Sequence, residues 1–203
     1  MKFKYSERIR HHFRSIDNTT VFLDIVGFTK LGDNDQMRRA VQELHSTISD
    51  VFDDYHWDEE SVDNELIMIP SGDGYGIAFC DDIRDELILD LTIKFYKIIT
   101  ERLKIRIGIS RGPNLVFRDL NDKLNIIGWG INRAQRVMTV AEVNQILFDS
   151  SFAEHLLKKK KTDGLIKIGK VKVKHGEEIE IYNYYLKEGV GNSKSPSLIS
   201  KDI

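Results

Sequence analysis

Three observations predict a single domain of mixed α and β structure. Short β-type apolar runs alternate with amphipathic helical stretches, one pair of runs flanks a hairpin turn, and 203 residues with 41% hydrophobic content suit one core. Val21, Phe22 and Leu23 form the first apolar run and read as a buried strand. Met37, Val41, Leu44, Ile48, Val51 and Phe52 recur at helical spacing and predict an amphipathic helix over 36–54. Residues 66–69 and 75–79 are apolar runs separated by Pro70-Ser71-Gly72-Asp73-Gly74, a pattern that predicts a hairpin with Asp73 at its tip. Ile83, Leu87, Leu91 and Ile98 predict a second helix over 83–102, ahead of a strand at 104–110 that Gly112-Pro113 is expected to end. Beyond a polar connection at 117–123, a short strand at 125–128 feeds a helix at 130–140, followed by a strand at 144–148 and a short helix at 150–159. Strands at 165–174 and 179–186, joined by His175-Gly176-Glu177-Glu178, close the domain. The domain is thus expected over 18–186. It follows a basic arm at 1–17 and precedes a polar tail at 187–203 that has no apolar spacing and is expected to be disordered.

A formal net charge of −2 gives no global field favouring nucleic acid or an anionic membrane, although Lys2, Lys4, Arg8, Arg10 and Arg14 crowd the N-terminus. Cys80 is the single cysteine, so one chain can form neither an internal disulfide nor a thiolate metal cluster. No apolar run approaches the ~20 residues that span a bilayer, and no signal core follows the charged start. A cytoplasmic location is expected, with no nucleic-acid and no membrane partner.

Residues 20–29 are the most informative stretch, because an apolar strand ends on Asp24 and passes into a tight glycine loop. A carboxylate at the edge of a core is costly unless it meets a cation or a donor. If the first strand and the hairpin lie side by side, Asp24 and Asp73 converge. Two convergent acids and a backbone carbonyl suit Mg²⁺, which takes few protein ligands and completes its shell with phosphate and water oxygens, or a two-metal site. A second constellation lies in Gly128-Trp129-Gly130-Ile131-Asn132-Arg133-Ala134-Gln135-Arg136, where a helix puts the Asn132 amide and the Arg136 guanidinium on one face. Taken singly, an Asp-Gly turn is ordinary turn chemistry and this helix face an ordinary polar one.

Together and in this order, the pieces resemble the class III nucleotidyl cyclases over residues 18–185. Residues 22–29 are similar to that family's first metal motif and Ser71-Gly72-Asp73-Gly74 to its second. Arg106-Ile107-Gly108-Ile109-Ser110 resembles its strand with a phosphate-contacting arginine, and 128–136 its glycine-then-Asn-x-Ala-x-x-Arg helix. The resemblance implies an α+β, ferredoxin-like domain with a mostly antiparallel sheet, acting as a head-to-tail homodimer with active sites across the interface. It also implies two Mg²⁺ or Mn²⁺ ions per site, held by Asp24 and Asp73 with the Ile25 carbonyl. Amides of Gly27, Phe28 and Thr29, with Arg106 and Lys174, would bind the phosphates of a nucleoside triphosphate. Lys172 lies close enough to Lys174 to blur that last assignment. From the other subunit, Asn132 would orient the ribose and Arg136 would stabilise charge on the α-phosphate.

In purine cyclases of this class a lysine or glutamate stands three residues before the glycine of the second metal motif, and an aspartate or small polar group shortly before the glycine of the helix motif. Ile69 and Asn125 occupy those positions here. Ile69 has no side-chain group to pair with a base edge, and neither purine set is present. The Pro-Ser-Gly-Asp-Gly motif in a short chain resembles the pyrimidine cyclases of anti-phage (Pycsar) signalling, which make a cyclic pyrimidine nucleotide for a partner effector. That likeness favours UTP, then CTP. Tyr55 and Trp57 are candidates for the pocket wall or, as the preferred reading, for capping the long helix against the core. The rival readings are a cytidylate or purine cyclase, a catalytically inactive nucleotide-binding module, and a nucleotide polymerase or diguanylate cyclase. The last is disfavoured because the hairpin lacks a paired-acid turn.

Overall fold

Strand β1 (Arg14–Ile25) is buried on both faces from Asn18 onward and apolar on both from Val21 to Leu23, so it lies at the centre of a sheet covered on both sides. Val21, Leu23 and Ile25 enter one core and Phe22 enters another. The computed structural model describes residues 13–55, 66–80, 83–161, 163–173 and 176–196, and shows β1 paired antiparallel to β3 (Gly74–Phe79) and to β4 (Ile105–Arg118). β2 (Leu66–Pro70) pairs with β3 as the expected hairpin. With helices α1 (Asn34–Asp53) and α2 (Asp85–Ile99), these strands form a β-α-β-β-α-β unit in the order β2-β3-β1-β4, the ferredoxin-like arrangement. The sheet continues through β6 (Gln145–Asp149), β8 (Glu178–Tyr184) and β7 (Leu165–Lys172), while β5 (Leu124–Gly128) pairs with the far end of β4. Only the β4–β6 pair is parallel, so the expected mostly antiparallel α+β sheet is what the chain forms.

Helices α1 and α2 and the short α4 (Ser150–Lys158) bury Leu44, Ile48, Ile88, Phe95, Phe152 and their neighbours on one face of the sheet. Helix α3 (Trp129–Val140) covers the other face, packing Ile131, Ala134 and Met138 on Phe22, Ile67 and Ala78. Asp33 caps α1 by accepting from the Gln36 amide at 2.7 Å. Among the described residues no helix is long and apolar enough to cross a membrane.

Three expectations change. β4 does not end at Gly112-Pro113. Pro113 pairs with Asp17 where β4 changes neighbours, between its last rung to β6 at Ile109 and its first to β5 at Asn114, a position that tolerates a residue without N–H. β1 begins at Arg14, inside the expected basic arm, whose residues 1–12 lie outside the described residues. Residues 187–196, expected to be disordered, pack on the sheet instead. Val190 is fully buried, Asn183 Nδ2 donates to the Asn192 carbonyl at 2.7 Å, and Gln145 Nε2 donates to the Lys194 carbonyl at 2.6 Å.

Candidate active site

β1 delivers Asp24 to the sheet end because its apolar register runs out there, and β3 and β4 flank it. Gly74 and Arg106 are its cross-strand partners. The Asp24 carboxylate is almost wholly buried, and one of its oxygens takes two guanidinium nitrogens of Arg106, Nε at 2.7 Å and Nη2 at 2.6 Å. The hairpin turn that carries Asp73 is tied to β1, since the Ile25 amide donates to the Asp73 carbonyl at 3.0 Å. Burial pushes the Asp24 carboxyl above the usual carboxylate range. Arg106 opposes this, and the Asp73 carboxyl, within hydrogen-bonding reach, adds to the rise. Asp24 and Asp73 thus stand close enough to influence one another's surroundings at this sheet end.

Past Ile25, the chain turns through Gly27 into a single 3₁₀ turn, Phe28–Lys30. Lys30 donates to the Gly27 carbonyl at 2.9 Å and Leu31 to that of Phe28 at 3.0 Å. The amides of Gly27, Phe28 and Thr29, at the start of the turn, have no acceptor within it. Gly27 and Thr29 are exposed, so the loop is open at this end.

Helix α3 sits unusually close to β4. A Cβ at Gly108 would stand 2.6 Å from the Ala134 carbonyl oxygen and closer still to the Met138 amide, so only glycine lets the helix backbone rest on the strand. The helix start is fixed by buried Asn114, whose Oδ1 accepts from the Ile131 amide at 3.0 Å while its Nδ2 donates to Asn18 Oδ1 at 2.7 Å. Gly128, with φ 148°, lets the chain pass over Asn114, where a Cβ would lie 2.7 Å from its Cα. Asn132 is exposed, and Arg136, one turn on, is half-buried and ion-paired to Glu177.

The chain thus carries two groups of expected site residues. Asp24, Asp73 and Arg106 meet at one sheet end, and Asn132 and Arg136 share one face of α3. Among the described residues no hydrogen bond or ion pair joins the groups. Arg106, expected on the phosphates, is held by Asp24, with a 3.4 Å contact from Nη1 to the Thr139 carbonyl. Lys174 and Trp57 lie outside the described residues. Lys172 is exposed at the end of β7. Ile69 and Leu124 pack against the same core cluster, which brings Ile69 and Asn125 to neighbouring elements. Asn125 Oδ1 accepts from the Ile126 amide at 2.7 Å. Tyr55 lies just beyond α1 with Lys94 Nζ 5.2 Å from its ring centre, and it is exposed instead of capping the helix against the core.

Among the described residues no three His, Cys, Asp or Glu side chains gather to hold a metal. Two neighbouring carboxylates, Asp24 and Asp73, nevertheless fit a hard divalent cation completed by substrate oxygens. Sequence reasoning missed Glu177 and Asp149. Glu177 carries no local signal, because the β7–β8 turn brings it to α3. Asp149 could have been read as a helix cap, since it precedes Ser150-Ser151-Phe152 and accepts from the Phe152 amide at 3.2 Å.

A ferredoxin-like sheet with an acid pair at one end and a polar helix face across it defines a nucleotide-handling class of domain. The sequence model for the adenylate and guanylate cyclase catalytic domain matches residues 12–188, and the chain belongs to that family, the class III nucleotidyl cyclases. No curated protein sequence matches it significantly. Among solved structures, the catalytic core of a rhodopsin-guanylyl cyclase with converted specificity, in complex with ATPalphaS, aligns with TM-score 0.69 at 18% identity over 87% of this chain and 99% of that one. The adenylyl cyclase CyaB from P. aeruginosa aligns with TM-score 0.69 at 19% identity, over 91% and 98%. The guanylate cyclase domain of RhGC from Catenaria anguillulae in complex with GTP gives 0.66 at 17%, over 85% and 98%. These likenesses concern the fold.

Proposed function

We propose that this nucleotidyl cyclase domain works as a head-to-tail homodimer and converts UTP to 3′,5′-cyclic UMP and pyrophosphate. In the cell it would act as a second-messenger synthase in anti-phage defence, through an effector that senses the product. Asp24, Asp73 and the Ile25 carbonyl would hold two Mg²⁺ or Mn²⁺ ions, which when bound acidify the ribose 3′ hydroxyl and neutralise the leaving phosphates. Gly27, Phe28 and Thr29 would donate their amides to the phosphates, with Arg106 and Lys174 adding positive charge. Asn132 would orient the ribose, and Arg136 of the other copy would stabilise the charge that develops as the 3′ oxygen attacks the α-phosphorus in line.

The observation that carries the choice of base is the commitment of Asn125. Its Oδ1 already accepts from the Ile126 amide, which leaves one lone pair there against two free N–H groups on Nδ2, so the side chain favours an acceptor on the base. Uracil offers an O4 acceptor, whereas cytosine and adenine offer an amino donor at the corresponding position. Guanine also offers O6, but it sets two donors, N1 and N2, beside that acceptor where uracil sets only N3, and Ile69 has no group to pair with the extra one. The test is mass spectrometry of the products from an equimolar mixture of ATP, GTP, CTP and UTP with Mn²⁺. Cyclic UMP should dominate.

A second reading, cyclisation of ATP or GTP, draws support from structural neighbours described as adenylyl and guanylyl cyclases, and a dominant purine product would establish it. A catalytically inactive binding module is disfavoured by the presence of Asp24, Asp73, Asn132 and Arg136 together. Absence of pyrophosphate release with every nucleotide would establish that module instead.

A further inference from the structure

The turn between β7 and β8 reaches over α3 and places Glu177 between two arginines of that helix. Its Oε1 accepts from Arg133 Nη1 at 3.0 Å, and its Oε2 is ion-paired with Arg136 Nη1. Arg133 is fixed in turn. Its Nε donates to Asp149 Oδ2 at 2.7 Å, and its guanidinium carbon lies 4.5 Å from the Trp129 ring centre. Asp149 is fully buried and also takes the Ser110 and Ser151 hydroxyls, at 2.8 and 2.7 Å. Charges of alternating sign therefore run from the sheet interior to the helix surface, in the order Asp149, Arg133, Glu177, Arg136. Arg133 bridges Asp149 and Glu177 through its Nε and Nη1. Arg136 ends the series with one terminal nitrogen engaged, and its other N–H groups have no protein partner among the described residues.

We infer that Glu177 is a positioning residue for Arg136, holding the guanidinium in one orientation so that its remaining N–H groups meet the α-phosphate already ordered. The inference rests on the cyclase reading, in which Arg136 acts on that phosphate. An arginine side chain carries large rotamer freedom, and a clamp anchored through Arg133 to a buried carboxylate removes that freedom before substrate arrives. The benefit appears when charge develops, so it falls on kcat and not on KM.

The test uses the full chain with Mn²⁺ and UTP, repeated with ATP, GTP and CTP, and follows pyrophosphate release in Glu177→Gln, Glu177→Ala, Arg136→Ala and the Glu177→Ala/Arg136→Ala double variant. Glu177→Ala is expected to lower kcat roughly 10- to 30-fold, the scale of arginine rotamer freedom, with KM within about twofold. Glu177→Gln, of the same shape and without the charge, should give an intermediate loss and guards against a folding defect. In the Arg136→Ala background the second substitution should cost nothing further. Wild-type kcat in both Glu177 variants, or faster turnover, overturns the inference while Arg136→Ala stays inactive. A loss that adds fully to that of Arg136→Ala marks a merely structural role and overturns it too. Full activity in Arg136→Ala, or no turnover of any nucleotide by the unaltered chain, removes the cyclase reading itself and the inference with it.

Discussion

Gly108→Ala tests how closely the seat of α3 depends on one missing methyl. The added Cβ would meet the Ala134 carbonyl oxygen at 2.6 Å and the Met138 amide nearer still, whereas ordinary contacts begin near 3.4 Å. Both neighbours are helix backbone that cannot rotate away, so α3 must lift from β4 by about 1 Å. Overpacking of this kind costs roughly 1–3 kcal/mol. For a chain of this length, each kcal/mol lowers Tm by about 2–4 °C, so the variant should melt roughly 2–12 °C lower. The same lift displaces Asn132 and Arg136, and a shift of about 1 Å in a positioning element can cost on the order of 10²-fold in rate. Thermal denaturation by circular dichroism and pyrophosphate release at a temperature where the variant remains folded provide the two readouts. Unchanged Tm together with unchanged kcat would refute the claim that this contact sets the height of α3.

Arg136→Ala should keep the oligomeric state of the unaltered chain by analytical ultracentrifugation yet lose on the order of 10³-fold in turnover, the scale of an arginine acting on a phosphoryl transition state. Asp24→Asn should melt higher than the unaltered chain at neutral pH. A carboxyl whose pKa is raised on folding holds a proton the unfolded chain releases, so its cost grows as pH rises from about 4 to the folded value and persists above it. The difference in Tm should close below pH 4, and a lower Tm at both pH values would contradict the direction assigned to Asp24. Saturating Mn²⁺ at ~100 times its Kd should stabilise the unaltered chain by about 2.7 kcal/mol, and Asp73→Asn should lose most of that shift in differential scanning fluorimetry.

The elements nearest the site were legible because their burial is apolar. Val21 to Leu23 is covered on both faces, and the α1 stripe repeats at helical spacing. What escaped is held by polar groups, which leave no periodicity. The first half of β1 is buried through Asn18, paired with Asn114, and Thr19, whose hydroxyl donates to Asp85 at 2.7 Å. Residues 188–196 are fastened by amide hydrogen bonds around the buried Val190. Asp24 and Asp73 could be foreseen as a pair because a strand end and a hairpin tip are local features. The clamp on Arg136 could not, because Glu177 reaches it only through the order of β6, β8 and β7.

β4 acts as a ruler for both halves of the site. Arg106 near its start is locked to Asp24, and Asn114 further along sets the first turn of α3. Since successive side chains of a strand face opposite ways, one residue inserted between them would leave Arg106 in place and turn Asn114 to the wrong side. The acid end would survive intact while the helix lost its starting point. Length along this strand should therefore tolerate change less well than the identity of most residues that compose it.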